Sequence, residues 1–165
     1  MRGIAGIRGA FVIGGVRTPN IITDEGEETF IKMITQAQES IVAADGNFYI
    51  GLCTDIGVAE DATLSTLSGE LLVQNGYARK AVTRNASGWP TVSQVNGVWR
   101  ARTATVNFAA SGGNFSAAYT RAFLCNASAG SSGKLLAIGG RLADPVQIND
   151  GQDVDVAYEL YLGYA

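Results

Sequence analysis

Alternation between apolar and polar positions is clearest at the carboxyl end of the chain. In residues 153–164, DVDVAYELYLGY, one face carries Val154, Val156, Tyr158, Leu160 and Leu162 and the other Asp153, Asp155, Ala157, Glu159 and Tyr161. A period of two is that of a strand with one buried face. VWRARTATVNF at 98–108 repeats it as a longer strand: Trp99, Ala101, Thr103 and Thr105 take one side, and Val98, Arg100, Arg102, Ala104, Val106 and Phe108 the other. NFYIGLC at 47–53 reads as a buried strand, and YARKAVTR (77–84), AYTRAFLC (118–125) and KLLAIG (134–139) as further strands. Turn-forming spacers divide them: Ser87-Gly88, Asn96-Gly97, Ser111-Gly112-Gly113-Asn114, Gly130-Ser131-Ser132-Gly133 and Asn149-Asp150-Gly151. Asn96-Gly97 between two alternating runs is a hairpin signal.

The helical period occurs in a single segment, Thr23 to Ser40. Asp24 is placed to cap it, Glu27 completes a capping box, and Glu25, Glu27 and Glu28 suit the positive end of the helix dipole. Phe30, Ile34, Ala37 and Ile41 form one face, which is expected to pack on a sheet. Residues 1–22 hold Arg2, Arg8 and Arg17, no acid, and glycines at 3, 6, 9, 14 and 15. Such a stretch is too rich in glycine for a helix and too apolar for a solvated tail. It reads as an extended N-terminal arm lying on its own domain or on a neighbour, with an edge strand of the same domain as an equal alternative. The expected fold is therefore mainly β: an antiparallel β-sandwich or jelly-roll-like domain over residues 23–165, with one N-terminal helix and the arm before it.

Composition shifts the picture from fold to use. Only 16% of the 165 residues are charged, against about 25% in ordinary globular domains. A 17.2 kDa chain has proportionally more surface than a large protein, so a shortage of charge points to a surface that meets protein instead of water. That is the signature of an assembly subunit. The sequence contains no His, which excludes Ser-His-Asp and Cys-His catalysis and His-ligated zinc or haem. A net charge of −3 argues against nucleic acid as a partner, and no apolar run is long enough to span a membrane. Arg8 and the glycines interrupt the apolar start too often for a signal peptide. A reducing compartment follows, in which Cys53 and Cys125 are expected as buried free thiols.

Few residues suggest chemistry. Asn149, Asp150, Asp153 and Asp155 offer oxygen ligands for calcium, but without the ordered spacing of a calcium loop. Asp55, Glu60, Asp61 and Glu70 surround a loop at 54–74, where a solvated role is favoured over acid–base work on sugars. Tyr77, Trp89 and Trp99 are candidates for an aromatic platform, with Trp89 the better exposed ring and Trp99 a core or interface residue. Arg100 and Arg102 share a strand face with Val98 and Val106; an interface arginine pair and a solvent-facing strand centre explain this equally well. No phosphate-binding glycine motif is present.

NFYIGLC (47–53), NGYARKAV (75–82), GWP (88–90), RAFLC (121–125), GKLLA (133–137) and VAYELYLGY (156–164) are similar to segments of small structural proteins of tailed bacteriophages. Over about residues 45–165 the chain resembles capsid decoration, or cement, proteins. The resemblance implies a β-rich subunit, often a homotrimer, bound to the major capsid protein on the outer shell and bridging capsomers. It implies no catalytic residue and no cofactor. On this reading Arg8, Phe11, Val12 and Arg17 contact the shell or a neighbouring subunit, and Trp89, Arg100 and Arg102 serve the oligomer interface. Deleting residues 1–17 is then expected to leave the fold intact and weaken particle binding. The competing reading is a tail- or fibre-associated module that binds host glycans through an exposed aromatic ring. An enzyme ranks third, because no carboxylate pair can be named.

Overall fold

The computed structural model describes residues 5–35, 46–55, 57 and 59–164. These residues form β1 (Ala5–Ile13), β2 (Val16–Ile22), α1 (Asp24–Thr35), β3 (Asn47–Cys53), β4 (Lys80–Thr83), β5 (Thr91–Val95), β6 (Val98–Arg102), β7 (Val106–Ala109), β8 (Arg121–Cys125), β9 (Leu135–Gly139) and β10 (Asp153–Tyr164). All named strand pairs are antiparallel, in the order β4-β3-β8-β9-β2-β1-β10-β6-β5, with β7 also on β10. The mainly β, antiparallel architecture expected from the sequence is what the chain adopts.

β2 turns the corner of this sheet. Its first half, Val16 to Pro19, pairs with β1, and its second half, Asn20 to Ile22, pairs with β9. A first layer, β5-β6-β10-β1, therefore folds over a second layer, β9-β8-β3-β4. Phe11, Ile13, Val156 and Tyr158 of the first share one core with Phe48, Ile50, Leu52, Val82 and Leu124 of the second. A chain of rings joins the layers: Phe11 lies 4.9 Å from Tyr158, Tyr158 6.3 Å from Trp89, and Trp89 6.4 Å from Phe48.

Within the second layer β3, β8 and β9 are buried on both faces, which explains why NFYIGLC, RAFLC and LLAIG do not alternate. Its outward residues Tyr49, Cys53, Phe123, Cys125, Leu135 and Ile138 cluster with Leu64 of the 54–74 loop. Arg79 pins that loop. Its guanidinium grips both Glu70 oxygens, at 2.7 and 2.6 Å, donates to the Ala127 and Gly130 carbonyls, and lies over the Phe123 ring. Cys53 and Cys125 are free and buried, and burial pushes the Cys53 thiol up to about 12. We expect no labelling of either thiol by an aromatic disulfide reagent at pH 8 until denaturant is added; rapid native labelling would mean that the loop does not seal this face.

Residues 5–22 correct the expected arm. They are extended but built into the sheet of their own domain: β1 pairs with β10 along its whole length, and its second half, Ala10–Ile13, lies between β10 and β2, while Ala5–Gly9 pair with β10 alone. The reason lies in alternation masked by glycine: Ile7, Gly9, Phe11 and Ile13 share register rows with Leu162, Leu160, Tyr158 and Val156. Gly9 has no room for a side chain, since a Cβ there would meet the Tyr158 hydroxyl at 2.4 Å.

Three local details also differ. The cap of α1 is Thr23, whose Oγ1 accepts from the Gly26 amide at 3.1 Å, while Asp24 is the first helical residue. Gly26 lets the helix approach β9, because a Cβ there would lie 2.0 Å from the Leu136 carbonyl oxygen. Ala37 and Ile41 of the expected stripe lie outside the described residues. The long strand at 98–108 breaks at Thr103–Thr105. Arg102 and Val106 are four positions apart, yet their partners Glu159 and Val156 are three apart. This one-residue slip turns Val106 and Phe108 into the core while Arg100 and Arg102 stay outside. The charge that looked odd on an apolar face is thus on a different face.

Candidate contact surface

The outer face of the first layer collects arginines. Register places Arg102 opposite Glu159, Arg100 opposite Tyr161 and Arg8 opposite Tyr161 from the other side, while Arg17 faces Val12. Glu159 is 2% exposed and stands at the centre of the group. Arg17 Nε donates to Glu159 Oε2 at 3.2 Å and to the Tyr161 hydroxyl at 3.3 Å, and its guanidinium lies 5.0 Å over the Tyr161 ring. Tyr161 also donates to Glu159. Arg100 and Arg102 approach Glu159 Oε1 at 3.6 and 3.7 Å.

Burial pushes the Glu159 carboxyl up, but hydrogen bonds from Tyr161 and Arg17 and the charges of Arg100 and Arg102 outweigh it and hold the group below its ordinary value of 4.5. A carboxyl depressed in the folded state stabilises the fold above its unfolded value, and that contribution disappears as pH falls through the folded one. Stability is therefore expected to stay level from neutral pH down to about 5 and to fall below about 4.5. Urea melts of the wild type and of Glu159→Gln check this: the variant should be weaker at neutral pH and lose less on acidification. Equal acid sensitivity would remove Glu159 as the cause. Glu28, held down to about 2 by hydrogen bonds from Lys32 and Lys134, sits in water and is expected to matter little.

The opposite side of the same strands is apolar. Beyond the edge of the second layer, Ile7, Val92, Ala101, Leu160 and Leu162 face Phe30 and Met33 of α1 across a groove of about 480 Å³. Val92 is 66% exposed, Trp99 55% and Leu162 49%. β5 forms the sheet edge beside it, and its sequence TVSQV carries no charge. Natural edge strands are commonly protected by charge or proline.

The structure brings Arg8, Arg17, Arg100 and Arg102 together on one face but separates the other expected contact residues. Phe11 is fully buried in the core and cannot touch a neighbour. Val12 is half-buried beside the arginines. Trp89 is half-buried against Phe48 and Tyr158 and lines the apolar groove with Val92 and Leu162, whereas Trp99, expected in the core or an interface, is the more exposed ring. Tyr77 is buried, accepts from the Leu52 amide and stacks near Phe108, so the three rings form no platform. Nothing in the residue pattern marks Glu159 as an organiser; the register opposite Arg102 reveals it.

Four of the carboxylates singled out in the sequence hold structure. Glu70 is taken by Arg79, and Asp55 accepts from Ser68 and the Gly57 amide. Asp153 and Asp155 both accept from Asn107, and Asn149 bonds Gln152. Among the described residues, no three His, Cys, Asp or Glu side chains converge as a metal site, and no helix is long and apolar enough to cross a membrane. Comparison with known protein families, with curated proteins and with solved structures finds no match for this chain.

Proposed function

We propose that this protein is a structural subunit of a tailed-bacteriophage particle, a capsid decoration protein that binds the outer shell and bridges capsomers. The observation that carries the reading is the pairing of two unlike faces on the same strands: an apolar groove with an uncharged edge, and an arginine face. Both belong to a chain with only 16% charged residues. An apolar groove suits contact with further copies of the chain, as in a homotrimer, and the arginine face suits contact with the major capsid protein. Arg8 and Arg17 take the shell-contact role expected for them, Arg100 and Arg102 move to that face, and Val92 and Leu162 join Trp89 in the groove offered as the subunit interface. Linked copies on a repeating lattice make later contacts effectively intramolecular, so weak footprints become durable.

The test is co-sedimentation with capsids that lack the protein. Saturable binding at a fixed ratio to the capsid subunit, with a raised temperature of DNA release, supports the reading. Absence of binding to capsids together with labelling of tails overturns it. A second reading, a tail- or fibre-associated glycan binder, is favoured by the exposed indole of Trp99. It requires glycan-array signals that vanish in Trp99→Ala.

A further inference from the structure

Three arginines share a single buried carboxylate, and a fourth, Arg8, lies on the same face. Arg8, Arg17, Arg100 and Tyr161 line a cleft of about 650 Å³, closed on one side by the hairpin residues Val95, Asn96 and Val98. The side chain of Arg100 is only 27% exposed, and its Nε is buried without a hydrogen-bond partner. Half-buried arginines are costly unless their charge and donors are met, and one carboxylate faces three of them while the Arg100 Nε goes without a partner. Glu159 also shows which group these forks are arranged to hold, since guanidinium pairs with carboxylate through two parallel bonds.

We propose that this cleft docks an acidic peptide segment of a partner protein, with a Glu or Asp carboxylate of that segment held by Arg8 and Arg100. The inference deepens the reading of this face as a contact surface by naming the partner's chemistry. Charge complementarity favours peptide over nucleic acid. Asp153 and Asp155 occupy the far end of the same strand face and would repel a continuing phosphate backbone. The Tyr161 ring at the cleft already carries the Arg17 guanidinium over one face, which takes that face from a base.

Fluorescence anisotropy with a labelled short polyglutamate peptide tests the proposal on the intact protein. Arg8→Gln is the first variant, because Arg8 is exposed and makes no bond to Glu159; Arg100→Gln is the second. We expect saturable binding that weakens about tenfold in each variant, the effect of one lost charged hydrogen-bond partner, and that disappears in about 0.5 M salt. Lys32→Gln, at an exposed position of α1 outside both the cleft and the groove, should bind as the wild type. Lack of peptide binding, binding indifferent to both cleft variants, or tighter binding of an oligothymidylate lost in those variants would each overturn it. Peptide binding without capsid binding would fail the decoration reading alone; capsid binding unchanged in Arg8→Gln and Arg100→Gln would fail the cleft alone.

Discussion

Removing residues 1–17 is expected to abolish cooperative folding. All of β1 pairs with β10, from Ala5 opposite Tyr164 to Ile13 opposite Val156, and Ala10 to Ile13 also pair with β2. The deletion therefore opens the sheet between its two layers, because β2 is the strand that leads from one to the other. It also removes Phe11, fully buried and 4.9 Å from the Tyr158 ring. Truncating a buried Phe alone costs about 3–5 kcal/mol, against a total stability of about 5–15 kcal/mol for a typical domain. Loss of the whole strand exceeds what remains. Circular dichroism and urea titration of the truncated chain should show no sigmoidal transition. A cooperative transition near the wild-type midpoint would mean that residues 1–17 are the dispensable arm that their composition suggested.

Glu159→Ala should be the most damaging single substitution on the surface layer. The side chain is 3% exposed and is the counter-charge for Arg17, Arg100 and Arg102. Its removal leaves three cations within reach of one another and deprives Tyr161 of its acceptor. Breaking a buried ion pair from one side costs about 3–5 kcal/mol; we expect about 3, because Arg17 can turn to water. Urea melts of Glu159→Ala, of Arg102→Gln and of the two combined measure it. In the pair the losses should add to less than their sum, since the second change relieves repulsion created by the first. Strict additivity would show that Glu159 contributes by packing and not by charge.

The fold was legible where side chains alternate without interruption. β10 follows its pattern from Val154 to Leu162, and the Asn96-Gly97 hairpin forms with both residues at positive φ, 51° and 81°. β1 was obscured because glycine stands at an inward position. Gly9 is needed there to admit the Tyr158 hydroxyl, and its lack of a side chain breaks the visible period. The split between β6 and β7 was invisible for a different reason. A one-residue slip leaves the alternation of the letters intact while reversing which face is inside, so Arg100 and Phe108 looked like neighbours on one side. The arginine site was half legible: Arg100 and Arg102 stood out as charges on a strand, and Arg8 and Arg17 only as charges of the expected arm. Its centre did not, because Glu159 looks like any polar residue of an alternating strand until pairing sets it opposite Arg102. The segments that suggest phage structural proteins, NFYIGLC, RAFLC, GKLLA and VAYELYLGY, fall on or overlap β3, β8, β9 and β10. They are mostly core strands, so they speak to packing more than to partners.

The central claim is that the apolar groove and the uncharged β5 edge are protein-contacting surfaces. Sedimentation velocity across a range of micromolar concentrations tests it directly. The account predicts a folded species heavier than one 17.2 kDa chain, reduced to that mass by Val92→Asp. A well-folded wild-type chain that sediments as a single 17.2 kDa particle at every concentration would contradict it.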